Sequence, residues 1–191
     1  MSGIGRDDIR TGQLYEEARA DSRRAIAELK RHRRVALGEL LSIVFENRDT
    51  IRSMVEEVVR AERLTDPSLV AAEVDAFNEV VPLAGELGAT LYVEIADPAE
   101  LATRLEEFEG VEQCTYVEVR GVRTVGVPHP VALADEAPSA FYIGFPVSSA
   151  QRAAWLAGEP VYVGVEHASA RARVELDSRH REALAADLVT H

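Results

Sequence analysis

Apolar residues recur every three or four positions in several stretches of the chain, which is the spacing of one face of an α-helix. Asn47 and Asp49 are both suited to cap the start of one of these helices, and Pro67 suits the first turn of the next. The predicted helices cover residues 13–34, a segment from Asn47 or Asp49 to about residue 62, 67–80, 98–108, 149–156 and 178–188.

Short runs rich in Val, Ile, Tyr and Phe separate these helices and predict strands. They cover residues 35–45 with a bend at Gly38, 89–95, 114–119, 140–145, 161–165 and 170–176. Two strand–helix–strand units resemble each other, and their tyrosines lie 50 and 46 positions apart. That likeness indicates either an internal repeat or the apolar strands that any two such units share.

The order of these elements predicts an α+β fold. Because connections between parallel strands are nearly always right-handed, the two units are expected to form one mixed sheet, packed with three N-terminal helices and a C-terminal helix. We expect a single domain over residues 1–191, mainly helical over 1–84 and containing the sheet over 85–191.

Charge is distributed unevenly along this acidic chain. The net charge is -12, yet residues 1–34 carry nine basic and six acidic side chains. An acidic body repels phosphates, so we do not expect nucleic acid as a partner, whereas the basic N-terminal segment is expected to pack against that body.

Several chemistries have no support in the sequence. The single Cys114 cannot form an intramolecular disulfide or supply a metal cage alone, and no phosphate-binding loop or nucleophile elbow is present. No apolar run reaches the roughly 18 residues of a membrane span, and no apolar signal segment opens the chain. We therefore expect a cytoplasmic protein without a membrane partner.

Glu62 raises a question, because it follows Ile51 by eleven residues and so falls within about 20° of the apolar stripe of its helix. A buried carboxylate must be paired, protonated or bound to a metal. Glu62 therefore either turns inward to a partner, such as His32 or an arginine of the first helix, or reaches water at the helix end. Glu56 and Arg60 are expected to point away from the stripe.

The segments RHRRVALGELLSIVFENRDTIRSMVEEVVRAERL, AEVDAFNEVVP, GATLYVEIADP, SAFYIGFPV and VYVGVEH together resemble a bacterial family known only as a conserved domain of unknown function. Its members tend to be encoded beside rubrerythrin-like proteins and an iron–sulfur subunit similar to heterodisulfide reductase, which implies redox or peroxide-stress metabolism. The chain departs from the family pattern at Met54, Val58 and Ala168. The pattern carries over to Arg34, Gly38, Phe45, Glu46, Asn47, Thr50, Glu57, Arg60, Glu62, Asn78, Pro82, Thr90, Glu94 and His167.

Three functions follow as hypotheses. The first is a non-catalytic accessory protein that docks to a redox partner. The second is a metal-dependent enzyme with Glu46, Glu57, Glu62 and His167 as candidate metal ligands, and the third is a sensor that binds an anionic ligand between the basic run at residues 30–34 and the sheet. An exposed sheet edge would favour a homodimer. The candidate ligand-binding residues are Arg34, Glu46, Asn47, Glu57, Arg60, Glu62 and His167.

Overall fold

The computed structural model describes residues 3–95, 97–129 and 139–189. Its helices are α1 (Gly12–Arg31), α2 (Arg48–Ala61), α3 (Pro67–Asn78), α4 (Pro98–Glu107), α5 (Ser149–Leu156) and α6 (Ser178–Val189). Its strands are β1 (Arg34–Ala36), β2 (Leu41–Glu46), β3 (Glu86–Val93), β4 (Thr115–Val119), β5 (Val122–Val125), β6 (Val127–Pro128), β7 (Ala140–Pro146), β8 (Val161–Glu166) and β9 (Arg171–Glu175). Short 3₁₀ turns cover Arg6–Asp8 and Val111–Cys114. The α+β class is confirmed.

The strands form two antiparallel sheets instead of the single mixed sheet expected. The first sheet has the order β1-β2-β3-β7-β6, and the second has the order β5-β4-β8-β9. Each strand–helix–strand unit begins in the first sheet and ends in the second, through β3-α4-β4 and β7-α5-β8. A helix that carries the chain to another sheet creates no parallel pair, and this is why the predicted parallel connections do not form.

The two units pair with each other strand by strand. In the first sheet Leu91 lies opposite Phe141, 50 positions later, and in the second sheet Val117 lies opposite Val163, 46 positions later. Because the separation changes along any antiparallel pair, these values carry no mark of a repeat. The tyrosines themselves are not partners, since Tyr92 lies opposite Ala140 and Tyr116 lies opposite Gly164.

The main core lies between the inner faces of the two sheets. Phe45, Leu91 and Phe145 of the first sheet and Val117 and Val163 of the second are fully buried there. Burial of such a side chain stabilises the fold by about 1.5–3 kcal/mol. The inner faces therefore hold the two sheets together.

A second core covers the opposite face of the first sheet. It is built from Ile51, Val55 and Val59 of α2 and from Val74 and Phe77 of α3. The α2 positions follow one another at intervals of four, as the apolar stripe in the sequence predicts. This packing fixes α2 above the sheet.

One extended segment joins the two sheets at their edge, and the sequence did not predict it. β5 pairs with β4 of the second sheet, and after Gly126 the chain continues into β6, which pairs with β7 of the first. A side chain at Gly126 would lie 2.2 Å from the Cγ2 atom of Ile143, so the crossing needs glycine. Val122, Val125 and Val127 are more than half exposed, and for this reason the segment lacks the buried alternation of a core strand.

Helix α1 is attached to the body mainly through polar contacts. Tyr15 is the single buried residue among its 20 residues, and Leu14 is 70% exposed. The turn after it leads into the β1–β2 hairpin, where Gly38 adopts a φ of 91° that favours glycine. The predicted bend at Gly38 is confirmed.

Candidate ligand-binding cleft

Buried polar residues occupy the outer face of the first sheet, beneath α1 and α2. Side chains alternate along a strand, so Ser42 and Glu46 face away from the core between the sheets. The register places Tyr92 opposite Ser42 and places Tyr142 opposite Thr90. Ser42, Glu46 and Thr90 are all buried. Burial of polar groups is costly without partners, so this face is a candidate for function.

Glu46 has an incomplete set of partners. The Thr90 hydroxyl donates a hydrogen bond of 3.0 Å to Oε1. Lys30 Nζ lies 3.3 Å from both carboxylate oxygens, but its hydrogen bond goes to Oε1. Within the described residues Oε2 is buried and receives no hydrogen bond. Oε2 of Glu46 therefore has an ion-pair contact with Lys30 but no hydrogen bond.

Two phenols border this carboxylate. Burial, followed by the negative charge of Glu46, raises the pKa of Tyr92. Burial also raises the pKa of Tyr142, with further contributions from Tyr92 and Glu46. Both rings therefore stay protonated near neutral pH, and the Tyr142 hydroxyl donates to the sulfur of Met54 at 3.9 Å.

An open cavity of about 420 Å³ lies between α1 and α2, above this polar face. We call it the α1–α2 cleft, and its lining residues are Arg19, Arg23, Ile26, Ala27, Lys30, Thr50, Ser53, Met54 and Glu57. Three of them carry positive charge and one carries negative charge. With Glu46 behind Lys30 counted, three cations meet two carboxylates, and in a strongly acidic chain this local excess of positive charge favours an anion over a cation.

Glu57 fixes the position of one of these cations. Arg19 donates from Nε and Nη2 to the two oxygens of Glu57, each at 3.0 Å, and the Tyr15 hydroxyl adds a bond of 2.9 Å. The hydrogen bonds from Arg19 are the largest cause that holds the pKa of Glu57 below its ordinary value. Burial and this contact raise the pKa of Tyr15 to about 12.

Glu56, which the sequence predicted to point away, is a second buried carboxylate. Arg10 donates to it from Nε and Nη2, each at 2.8 Å, and from its backbone N–H at 3.2 Å. The segment before α1 covers this side of α2, and the helical wheel of α2 alone holds no information on that segment. The feature of the sequence that could have indicated this contact is the basic character of the N-terminal segment.

Glu62 does not turn inward. It is exposed at the end of α2, where its backbone N–H donates to the Val58 carbonyl at 2.9 Å. The pKa of Glu73 is raised first by the burial of Glu73 itself and then by the negative charge of Glu62. The expectation of a buried partner is wrong because the helix stops before residue 62 and the apolar stripe leaves the core there. The alternative of a solvated helix end is confirmed.

The other predicted site residues have local partners. Asn47 caps α2 and accepts from the N–H groups of Asp49 and Thr50, each at 3.1 Å. Arg60 points outward, as predicted, and donates to Glu16 at 2.7 Å.

Arg34 and His167 lie away from the cleft. Arg34 pairs with Glu94, and its guanidinium carbon is 5.8 Å from the centre of the Tyr92 ring. His167 follows β8, where Nδ1 accepts from the Ser169 N–H at 3.2 Å and Nε2 faces the Glu109 carbonyl at 3.1 Å.

The four candidate metal ligands are therefore dispersed. Glu46 lies under α1, Glu57 on α2, Glu62 at the end of α2 and His167 in the turn after β8. Across residues 3–95, 97–129 and 139–189, no three His, Cys, Asp or Glu side chains are close enough to share a metal ion. Of the predicted residues, Glu57 lines the cleft. Glu46 lies beneath the cleft and contacts Lys30, one of the residues that line it.

A family comparison now places the chain. A protein family described as a protein of unknown function, DUF3501, matches residues 3–188. The chain belongs to the DUF3501 family. This agrees with the resemblance in the sequence to a conserved bacterial domain of unknown function. No curated protein matches the chain.

A solved structure supports the fold. The crystal structure of a protein of unknown function from Burkholderia pseudomallei K96243 has a TM-score of 0.90 and 24% identity. The match covers 98% of this chain and all of the other. No helix in the described part of the chain combines the length and apolar character that crossing a membrane requires.

Proposed function

We propose that this DUF3501 protein is an accessory protein that binds a small anion, a carboxylate or phosphate, in the α1–α2 cleft. The observation that carries the proposal is the placement of Arg19, Arg23 and Lys30 around one cavity of about 420 Å³ in a strongly acidic chain. Arginine forks suit both anions because they donate two parallel hydrogen bonds.

The cations of the cleft differ in how firmly the fold holds them before a ligand binds. Arg19 is held in place by Glu57, so it loses little side-chain freedom when a ligand binds. Arg23 is exposed, and its charge contributes to the lowered pKa of Glu57. Arg23 therefore supplies the adaptable charge of the site.

The hydroxyl groups of Thr50 and Ser53 line the same cavity. Thr50 Oγ1 is already bonded, accepting from the Asn47 N–H at 2.8 Å. Ser53 lies one turn further along α2 and offers a neutral donor from the opposite wall. A site with cations on α1 and a hydroxyl on α2 would hold an anion between the two helices.

A thermal-shift screen tests the proposal. Wild-type protein is heated with inorganic phosphate, lactate, succinate or citrate, against sodium chloride of equal ionic strength. A specific ligand binds the folded state and raises the melting temperature in a saturable way. If none of the anions exceeds the chloride control, the proposed function is rejected.

A docking role in redox or peroxide-stress metabolism belongs to the same proposal. It rests on the gene neighbourhood that the family resemblance implies, and strand β5, whose Val122 and Val125 are more than half exposed, offers a surface for contact. Purification from the native host with and without crosslinking tests it, and the absence of any redox protein among the partners would argue against it. A homodimer through a sheet edge stays a prediction.

A further inference from the structure

Lys30 differs from every other basic residue of the chain. The sequence contains 21 lysine and arginine residues, and Lys30 is the single lysine among them. Apart from Lys30, arginine is the usual cation in the ion pairs of the described residues, as in Arg10 with Glu56 and Arg33 with Asp187. A lysine offers one property that arginine lacks, an amine that becomes nucleophilic when it loses its proton.

The surroundings of Lys30 place a proton acceptor next to its amine. It lies in the last turn of α1, lines the α1–α2 cleft and is 26% exposed. Behind it lies buried Glu46, with Nζ 3.3 Å from each oxygen. The paired arginines Arg10 and Arg33 approach their carboxylates to 2.8 and 2.7 Å, so the lysine contact is comparatively loose.

Glu46 has an acceptor free for a proton. Oε1 receives the hydrogen bonds from Thr90 and Lys30, whereas Oε2 is buried and receives none within the described residues. The groups that face Glu46 are Lys30 from α1, Thr90 and Tyr92 from β3, and Tyr142 from β7. Both phenols keep their protons near neutral pH, so they do not compete with the carboxylate as bases.

We propose that Lys30 captures the carbonyl group of a small oxo acid as an imine. This step rests on the proposed function, since Arg19 and Arg23 would hold the carboxylate of the same molecule. The ammonium group of Lys30 passes one proton to Oε2 of Glu46, and the free amine attacks the carbonyl carbon. A carbon–nitrogen double bond replaces the carbon–oxygen double bond, and the oxygen leaves as water. No oxidant or reductant is needed.

The cleft also provides an apolar wall for the adduct. Ile26, Ala27 and Met54 line it beside Lys30. An imine forms with loss of water and is hydrolysed by water, so an apolar wall next to the nitrogen favours the adduct. The ligand class is therefore a short acid with a carbonyl group near its carboxylate.

Reductive trapping tests the imine directly. The folded protein is incubated with pyruvate and cyanoborohydride, and the labelled residue is located by peptide mass spectrometry. The α-amino group of the chain is the internal reference, and Lys30→Arg is the matched variant because it keeps the positive charge. We expect saturable labelling at Lys30, at least tenfold faster than at the α-amino group, and no label at residue 30 in K30R.

A second acid separates this inference from the proposed function. Lactate has the carboxylate of pyruvate but a hydroxyl group in place of the keto group. It should therefore compete with pyruvate and slow the labelling of Lys30. Labelling of Lys30 no faster than the α-amino group would overturn the imine, while saturable lactate binding to the wild type would still support the anion site. Failure of both acids to bind would reject the imine, whereas the anion site is rejected only if phosphate, succinate and citrate fail to bind as well.

Glu46→Gln examines the proton acceptor. The variant should slow labelling of Lys30 at least tenfold, with lactate competition retained. Equal labelling rates in E46Q and the wild type would remove Glu46 from the step. Should E46Q fail to fold, Glu46→Asp is the second variant, because it keeps a carboxylate but draws it back from Lys30 by one methylene group. E46D should also slow the labelling of Lys30, and a wild-type rate in folded E46D would contradict the role of Glu46.

Discussion

Arg10 holds the buried carboxylate of Glu56 with two side-chain hydrogen bonds of 2.8 Å and a backbone hydrogen bond of 3.2 Å. The two residues are 46 positions apart, so the contact fastens the segment before α1 to the middle of α2. Because α1 buries little apolar surface, such polar contacts determine where it lies.

Replacement of Arg10 by alanine should therefore destabilise the protein. Glu56 would stay buried without its main partner, and this costs about 3 kcal/mol. Urea unfolding followed by circular dichroism measures the change in the free energy of unfolding. Arg6→Ala is the matched control, since Arg6 is exposed and its one ion-pair contact among the described residues, to Asp7, is long at 4.0 Å. A loss for R10A no larger than that for R6A would contradict the role of the contact.

The pair between Arg19 and Glu57 should make stability depend on pH in the acidic range. Arg19 lowers the pKa of Glu57 in the folded state from its ordinary value of 4.5. The contribution is therefore complete above that value and is lost as the pH falls through the folded pKa. The free energy of unfolding between pH 3 and 6 should fall less steeply on acidification in Glu57→Gln than in the wild type. Exposed Glu17→Gln should keep the wild-type slope.

The cap of α2 gives a prediction on a smaller scale. Asn47 accepts from two backbone N–H groups, and its own N–H donates to Thr50 Oγ1 at 2.8 Å. Asn47→Ala should cost about 1 kcal/mol of unfolding free energy, whereas Asn47→Asp should cost little because aspartate caps equally well. Equal losses in N47A and N47D, measured by thermal unfolding, would show that the side chain acts by something other than capping.

The hydrogen bond from Thr90 to Glu46 tests the buried polar face. Thr90→Val keeps the shape of the side chain but removes the donor to Oε1, which should cost about 1–3 kcal/mol because a buried carboxylate loses a partner. Thr90→Ser keeps the hydroxyl and should recover part of the loss. Chemical denaturation compares the two variants, and a T90V protein as stable as the wild type would contradict the contact.

The sequence predicts local structure well because its signals are local. The cap at Asn47 and the proline at the start of α3 follow from neighbouring residues alone, and both helices begin where those signals place them. Strand partners are different, because β3 meets β7 through contacts between residues far apart in the chain. The assignment of strands to two sheets depends on where α4 and α5 carry the chain, which periodicity does not encode.

The carboxylates of α2 show the same limit within the site. Glu62 matches the apolar stripe in angle, but the helix ends there and the side chain is exposed. Glu56 lies off the stripe, yet the segment that contains Arg10 covers it. Burial on the second side of a helix depends on a distant segment, so a helical wheel cannot identify it. Lys30 and Glu46 meet because the β1–β2 hairpin returns the chain to the end of α1, a pairing that the periodicity of either element does not encode.

The central claim is that the cations of the α1–α2 cleft bind a small anion, and calorimetric titration of two neighbouring arginine variants tests it most directly. Arg23 lines the cleft, whereas Arg24 is highly exposed and pairs with Asp21. Phosphate, lactate, succinate and citrate are titrated into the wild type, Arg23→Gln and Arg24→Gln at constant ionic strength. For each anion that binds the wild type, R23Q should weaken binding roughly tenfold or more, since a hydrogen bond to a charged group contributes about 1.5–3 kcal/mol, and R24Q should bind as the wild type does. Equal affinities in the two variants, or no binding of any of the four anions to the wild type, would contradict the account.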